Sequence, residues 1–129
     1  MATVSAIMAR DVLSVSPEMT LTDAAKRMSG GRVGAVLVLE GRALRGILTE
    51  RDVLRAVAEG RIEGSKVGDW MTRDPETIEP TESADMAATL MIHGGFRHLP
   101  VVEGTSVVGI VSIRDLMRVV LDDAAPRGV

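Results

Sequence analysis

Shifted by 63 positions, Val4–Val57 falls over Val67–Val120 without a gap, and 18 of those 54 positions are identical. Met8 and Arg10-Asp11 lie over Met71 and Arg73-Asp74. Pro17 lies over Pro80, Ala24-Ala25 over Ala87-Ala88, Gly46-Ile47 over Gly109-Ile110, and Arg51-Asp52 over Arg114-Asp115. A chain that keeps one register for so long is built from two copies of one supersecondary unit, and neither copy buries its apolar face alone.

Each copy reads as strand–helix–strand–strand–helix. The first strand spans Leu13–Ser16 in one copy and Thr77–Glu79 in the other, ended by Pro17 and Pro80. The helices that follow, about Leu21–Ser29 and Ala84–Ile92, carry Ala24, Ala25 and Met28, or Ala87, Ala88 and Met91, at helical spacing. Gly30-Gly31 and Gly94-Gly95 are placed to stop them. Two β-rich runs around a Glu-Gly turn come next, Ala35–Leu39 with Leu44–Leu48 and Leu99–Val102 with Val107–Val111. Last helices are expected over Glu50–Ala58 and Ile113–Leu121. The fold class is therefore α/β, in an α+β-like form, with two pseudo-symmetric repeats packed as one module. The expected boundaries are residues 1–60 for the first repeat, 61–66 for a linker, 67–121 for the second repeat, and 122–129 for a flexible tail.

Composition narrows the chemistry. The chain has no cysteine and two histidines, His93 and His98, which excludes thiol chemistry and leaves little for a metal site. Fifteen basic residues face 18 acidic ones, and Trp70 and Phe96 are the only aromatics, a poor basis for nucleic-acid binding. Neither a signal peptide nor a membrane-spanning run is visible, so the expectation is a cytoplasmic protein without membrane or nucleic-acid partners. No paired acid and base, P-loop or nucleophile elbow appears, so no enzymatic activity and no catalytic residue is expected.

Gly46 to Asp52 (Gly-Ile-Leu-Thr-Glu-Arg-Asp) and Gly109 to Asp115 (Gly-Ile-Val-Ser-Ile-Arg-Asp) resemble the signature of cystathionine-β-synthase (CBS) domains, which pair into Bateman modules. Phe96 to Val102 (Phe-Arg-His-Leu-Pro-Val-Val) resembles the family's second-strand motif. Val33 to Val38 departs from it, lacking the Arg-His pair and the proline. The resemblance covers Val4–Leu121 and is to the stand-alone members. It implies a sensor that binds AMP, ADP, ATP or S-adenosylmethionine in clefts between the repeats, requires no cofactor, forms a homodimer through its helices, and acts on itself or on a separate regulated protein. The alternative is a structural module that dimerises with no nucleotide bound.

Thr49 and Asp52, and Ser112 and Asp115, stand where a strand becomes a helix. They suit a capping box, or a carboxylate gripping vicinal ribose hydroxyls beside a helix N-terminus; the two roles are compatible. Arg97 and His98 fit either a solvated charge beside a half-buried imidazole or a pair of phosphate donors. Ser14 and Val15, with Thr77, Ile78 and Pro80, offer edges for an adenine base or simply pack. By the resemblance, Thr49 and Asp52 work with Arg97 and His98, whereas Ser112 and Asp115 work with the uncharged Gly34 and Ala35. Trp70, opposite Ile7 in the repeat, is read as packing.

Overall fold

The computed structural model describes residues 2–124. In chain order the elements are α1 (Val4–Ile7), β1 (Ser14–Val15), α2 (Leu21–Gly31), β2 (Ala35–Glu40), β3 (Ala43–Thr49), α3 (Glu50–Ala58), α4 (Val67–Trp70), β4 (Thr72–Arg73), α5 (Ala84–Gly94), β5 (His98–Glu103), β6 (Ser106–Ser112) and α6 (Ile113–Ala124). They gather into two compact units. One is contiguous, Asp11–Pro75; the other joins the N-terminal segment up to Arg10 to the chain from Glu76 onward. The units thus begin at Asp11 and Glu76, later than the aligned repeats, which begin at Val4 and Val67. The lead-in of the first repeat, with α1, belongs to the unit holding the second repeat's helices, and the lead-in of the second, with α4 and β4, belongs to the first.

In the contiguous unit, β1 pairs parallel with β2, which pairs antiparallel with β3, which pairs antiparallel with β4. The discontinuous unit repeats this plan around the β5–β6 hairpin. Single bridges, Ile78 with Val101 and Ala9 with Ile110, replace β1 and β4. The strand expected over Thr77–Glu79 is therefore one bridging residue, whose N–H donates to the Pro100 carbonyl at 3.1 Å.

Each unit has its own core. One gathers Val15, Leu21, Met28, Val36, Val38 and Leu48 with Trp70 and Met71 from the later lead-in. The other gathers Ile78, Met91, Leu99, Val101 and Val111 with Val4 and Met8 from the N-terminal lead-in. Side chains of this size contribute about 1.5–3 kcal/mol each when fully buried.

Thr20 and Ser83 cap α2 and α5 by accepting the N–H of Asp23 and Met86, both at 3.1 Å. The stops differ from expectation in the first repeat. Gly30 and Gly31 stay helical, and α2 ends at Arg32, whose φ of 55° is left-handed. At the equivalent place α5 ends on Gly95, with φ 71°. Carbonyl capping there demands the left-handed conformation, and the first repeat imposes it on an arginine. Helix α6 continues to Ala124, past the end expected at Leu121. The rest of the expected flexible tail, 125–129, lies outside the described residues.

Candidate functional site

The strand-to-helix junction is built alike in both units. In the contiguous unit Ala35 pairs with Thr49, and the Glu50 N–H donates to the Gly34 carbonyl at 3.0 Å. In the discontinuous unit His98 pairs with Ser112, and the Ile113 N–H donates to the Arg97 carbonyl at 2.8 Å. Gly34, Thr49 and Asp52 are thereby brought together in one unit, and Arg97, His98, Ser112 and Asp115 in the other.

At both junctions an aspartate folds back onto the residue three before it. Asp52 Oδ2 accepts the Thr49 N–H at 2.9 Å and the Thr49 hydroxyl at 3.2 Å. Asp115 Oδ2 accepts the Ser112 N–H at 2.8 Å and its hydroxyl at 3.0 Å, and the Ser112 hydroxyl accepts the Asp115 N–H at 3.2 Å. The capping expectation holds, and it consumes one carboxylate oxygen, leaving Oδ1 outside the cap; Asp52 is buried and Asp115 half-buried. An arginine one turn on approaches it each time: Arg55 Nη1 at 3.2 Å from Asp52 Oδ1, and Arg118 Nη1 at 3.7 Å from Asp115 Oδ1. Sequence reasoning passed over both arginines, although Arg55 over Arg118 is one of the identities of the repeat.

The second strands begin with unlike charge. Arg97 is exposed, and His98 beside it is half-buried and partnered. At the position equivalent to Arg97, Gly34 has no side chain. A Cβ placed on it would meet the Glu50 carboxylate at 3.4 Å, so an acid covers the spot where the other unit carries a base.

The remaining candidates are mainly structural. Val15 and Ile78, each 4% exposed, are spent in the cores, so their segments offer a ligand backbone rather than side chains. Ser14 and Thr77 are half-buried, and the Ser14 carbonyl accepts from Arg27 at 3.4 Å. Pro80 is buried, and its carbonyl accepts the Ser5 N–H at 2.9 Å. Arg10 and Arg73 donate to the equivalent carbonyls of Ser5 and Gly68, at 3.2 and 3.3 Å, pinning the turns of the two lead-ins. Trp70 packs as expected, with Arg55 and Arg61 at 5.5 and 5.3 Å from its ring centroid.

An open hollow of about 310 Å³ between α2 and α3 is lined by Ala25, Met28, Ser29, Val33, Glu50 and Val53, none of them a predicted ligand residue. Among the described residues no group of three or more His, Asp or Glu side chains is placed to hold a metal, and no helix is long and apolar enough to cross a membrane.

The family model of the CBS domain matches the chain twice, at residues 4–59 and 67–122. The chain is similar to the CBS domain-containing protein YhcV of Bacillus subtilis, with 38% identity over 117 residues, 90% of this chain and 84% of that one. A putative signal-transduction protein with CBS domains from Burkholderia ambifaria superposes with a TM-score of 0.91 at 33% identity, over 99% of this chain and 100% of its own. CBSX2 in complex with AMP superposes at 0.85, with 25% identity over 97% of this chain and 100% of that one. The CBS domain pair of protein MJ0100, in complex with 5′-methylthioadenosine and S-adenosylmethionine, superposes at 0.86, with 25% identity over 92% of this chain and 99% of that one.

Proposed function

The chain belongs to the CBS domain family, and from that membership we propose that it is a cytoplasmic, non-catalytic sensor whose ligand is an adenosine compound of the AMP, ADP, ATP or S-adenosylmethionine class. The observation that carries this reading is the duplicated aspartate. Asp52 and Asp115 are each fixed through one oxygen by their own helix cap, with the other oxygen directed away from it. A carboxylate held in this way is pre-ordered to accept hydroxyl hydrogen bonds, so a vicinal diol binds with little further loss of side-chain entropy. The complexes of the similar proteins with AMP and with S-adenosylmethionine support the adenosine class.

The unlike second strands refine the proposal. Arg97 serves phosphate, by charge-assisted hydrogen bonds roughly twice as strong as neutral ones. The Gly34 edge, under the Glu50 carboxylate, disfavours phosphate and takes neutral or cationic adenosine compounds.

Dimerisation belongs to the same reading. Leu54 and Val57 on α3, and Met117, Val120 and Leu121 on α6, are each at least half exposed, whereas Leu116 is buried in its own unit's core; each helix thus offers apolar surface suited to a second copy of the chain. If no nucleotide bound, this surface would favour the alternative of a module that works by self-association alone.

The deciding experiment is a thermal-shift panel of AMP, ADP, ATP, S-adenosylmethionine and adenosine, followed by calorimetry on any hit. A ligand at 100 times its dissociation constant stabilises the fold by about 2.7 kcal/mol. A shift that disappears in Asp52→Asn or Asp115→Asn supports the sensor; no shift from any compound at millimolar concentration leaves the self-association reading in its place.

A further inference from the structure

Asp52 and Asp115 are alike in sequence and cap, yet differ in how many acceptor sites they leave open. An ionised carboxylate has about four lone-pair sites. Asp52 spends two on the Thr49 N–H and hydroxyl and a third on Arg55, 3.2 Å from Oδ1. Asp115 spends two on Ser112, while Arg118 stands off at 3.7 Å, beyond hydrogen-bond reach. A diol needs two sites: Asp115 has them, and Asp52 has one.

The cause of the difference lies in the exchanged lead-ins. The contiguous unit receives Trp70, which is 7% exposed and has Arg55 at 5.5 Å from its ring centroid. The indole N–H is buried and finds no acceptor among the described residues, so the ring is held there by packing and by its cations. The discontinuous unit receives Ile7 at the equivalent position, and an aliphatic side chain has no aromatic face to hold a guanidinium. We infer that Arg55, held against Trp70, is a latch on Asp52: a diol binds there by displacing Arg55 from Oδ1, and this uncovers the Trp70 ring, whereas Asp115 binds without such a step. Arg55 is a positioning residue on this account. The displacement step rests on the adenosine-sensor reading, whereas the coupling of Asp52 to Trp70 through Arg55 does not.

Trp70 is the chain's only tryptophan, so tryptophan fluorescence reports on this one ring, which Arg61 at 5.3 Å flanks as well as Arg55. In the ligand-free protein, acrylamide quenching of Trp70 should rise in Arg55→Met. It should rise likewise in Asp52→Asn, which loosens Arg55 without touching the ring, and no further in the double variant; Arg118→Met should match the wild type. Unchanged quenching in Asp52→Asn overturns the latch even if Arg55→Met proves uninformative. Adenosine, used as the probe, should raise wild-type quenching as Asp52→Asn does, and Arg55→Met should bind it roughly three- to tenfold tighter at the Asp52 site, with Arg55→Lys restoring part of the wild-type affinity. Adenosine bound by calorimetry at a site lost in Asp52→Asn, with quenching unmoved, overturns the displacement step. If no adenosine compound binds at all, the sensor reading fails while the ligand-free comparison still decides whether the latch exists.

Discussion

Asp52 answers to two demands at once. From the first turn of α3 it closes a capping box with Thr49, the residue that ends β3, and it is the candidate acceptor for a ligand. Removing the side chain therefore confounds them: Asp52→Ala should lose about 0.5–2 kcal/mol of capping as well as any ligand contact. Asp52→Asn separates them, because an amide oxygen still accepts the Thr49 N–H while the charge is gone. The expected outcome is a melting temperature near that of the wild type with nucleotide affinity at that site strongly reduced; calorimetry and a melt on the same variant check it. Arg97 carries a second expectation. Arg97→Ala should weaken AMP far more than adenosine, and equal losses for both would show that Arg97 does not meet the phosphate. The Thr-x-x-Asp and Ser-x-x-Asp pairs were legible in the sequence because each lies within one turn of chain and occurs twice. Arg55 against Trp70 was not, since the two lie 15 positions apart and meet only because the lead-ins exchange.

Among the elements, the signature glycines explain how a lead-in is seated. A Cβ on Gly46 would stand 2.6 Å from the Thr72 carbonyl oxygen, and one on Gly109 would stand 2.8 Å from that of Ala9. Backbone cannot yield as a flexible side chain does, so Gly46→Ala or Gly109→Ala should push the lead-in off its strand at a cost of about 1–3 kcal/mol. Chemical denaturation reads that loss, and Gly30→Ala, with open space around its Cβ, is the control. Lys66 holds the start of α4 by donating to Glu18 at 3.0 Å, and this hydrogen bond raises the lysine above its ordinary value of 10.5. A group raised on folding stabilises below its unfolded value and loses that contribution as pH climbs through the raised one. The stability gap between wild type and Lys66→Met should thus be small and should close above pH 10.5. Helices, hairpins and their turns were legible from spacing and from Glu-Gly. The bridge at Ile78 and the stop at Arg32 were not, because strand length depends on partners distant in sequence, and tertiary packing can hold a non-glycine residue in the left-handed region.

For the molecule as a whole, the exchanged lead-ins decide which piece of chain is self-sufficient. The repeat made two copies legible but drew their boundary at the link, since a self-comparison shows which residues correspond and not which residues touch. The contiguous unit contains its whole core within Asp11–Pro75. A fragment of residues 1–60 keeps both first-repeat helices and the β2–β3 hairpin yet lacks Val67, Trp70 and Met71, and leaves Val4 and Met8 without the core they serve. Three buried side chains of that size are worth several kcal/mol, on the order of the whole stability of a small domain. A fragment of residues 11–75 should therefore melt cooperatively and disperse its methyl resonances, and 1–60, cut at the sequence boundary, should do neither. The same comparison tests the exchange itself: were each lead-in to pack on its own repeat, 1–60 would be the fragment that folds.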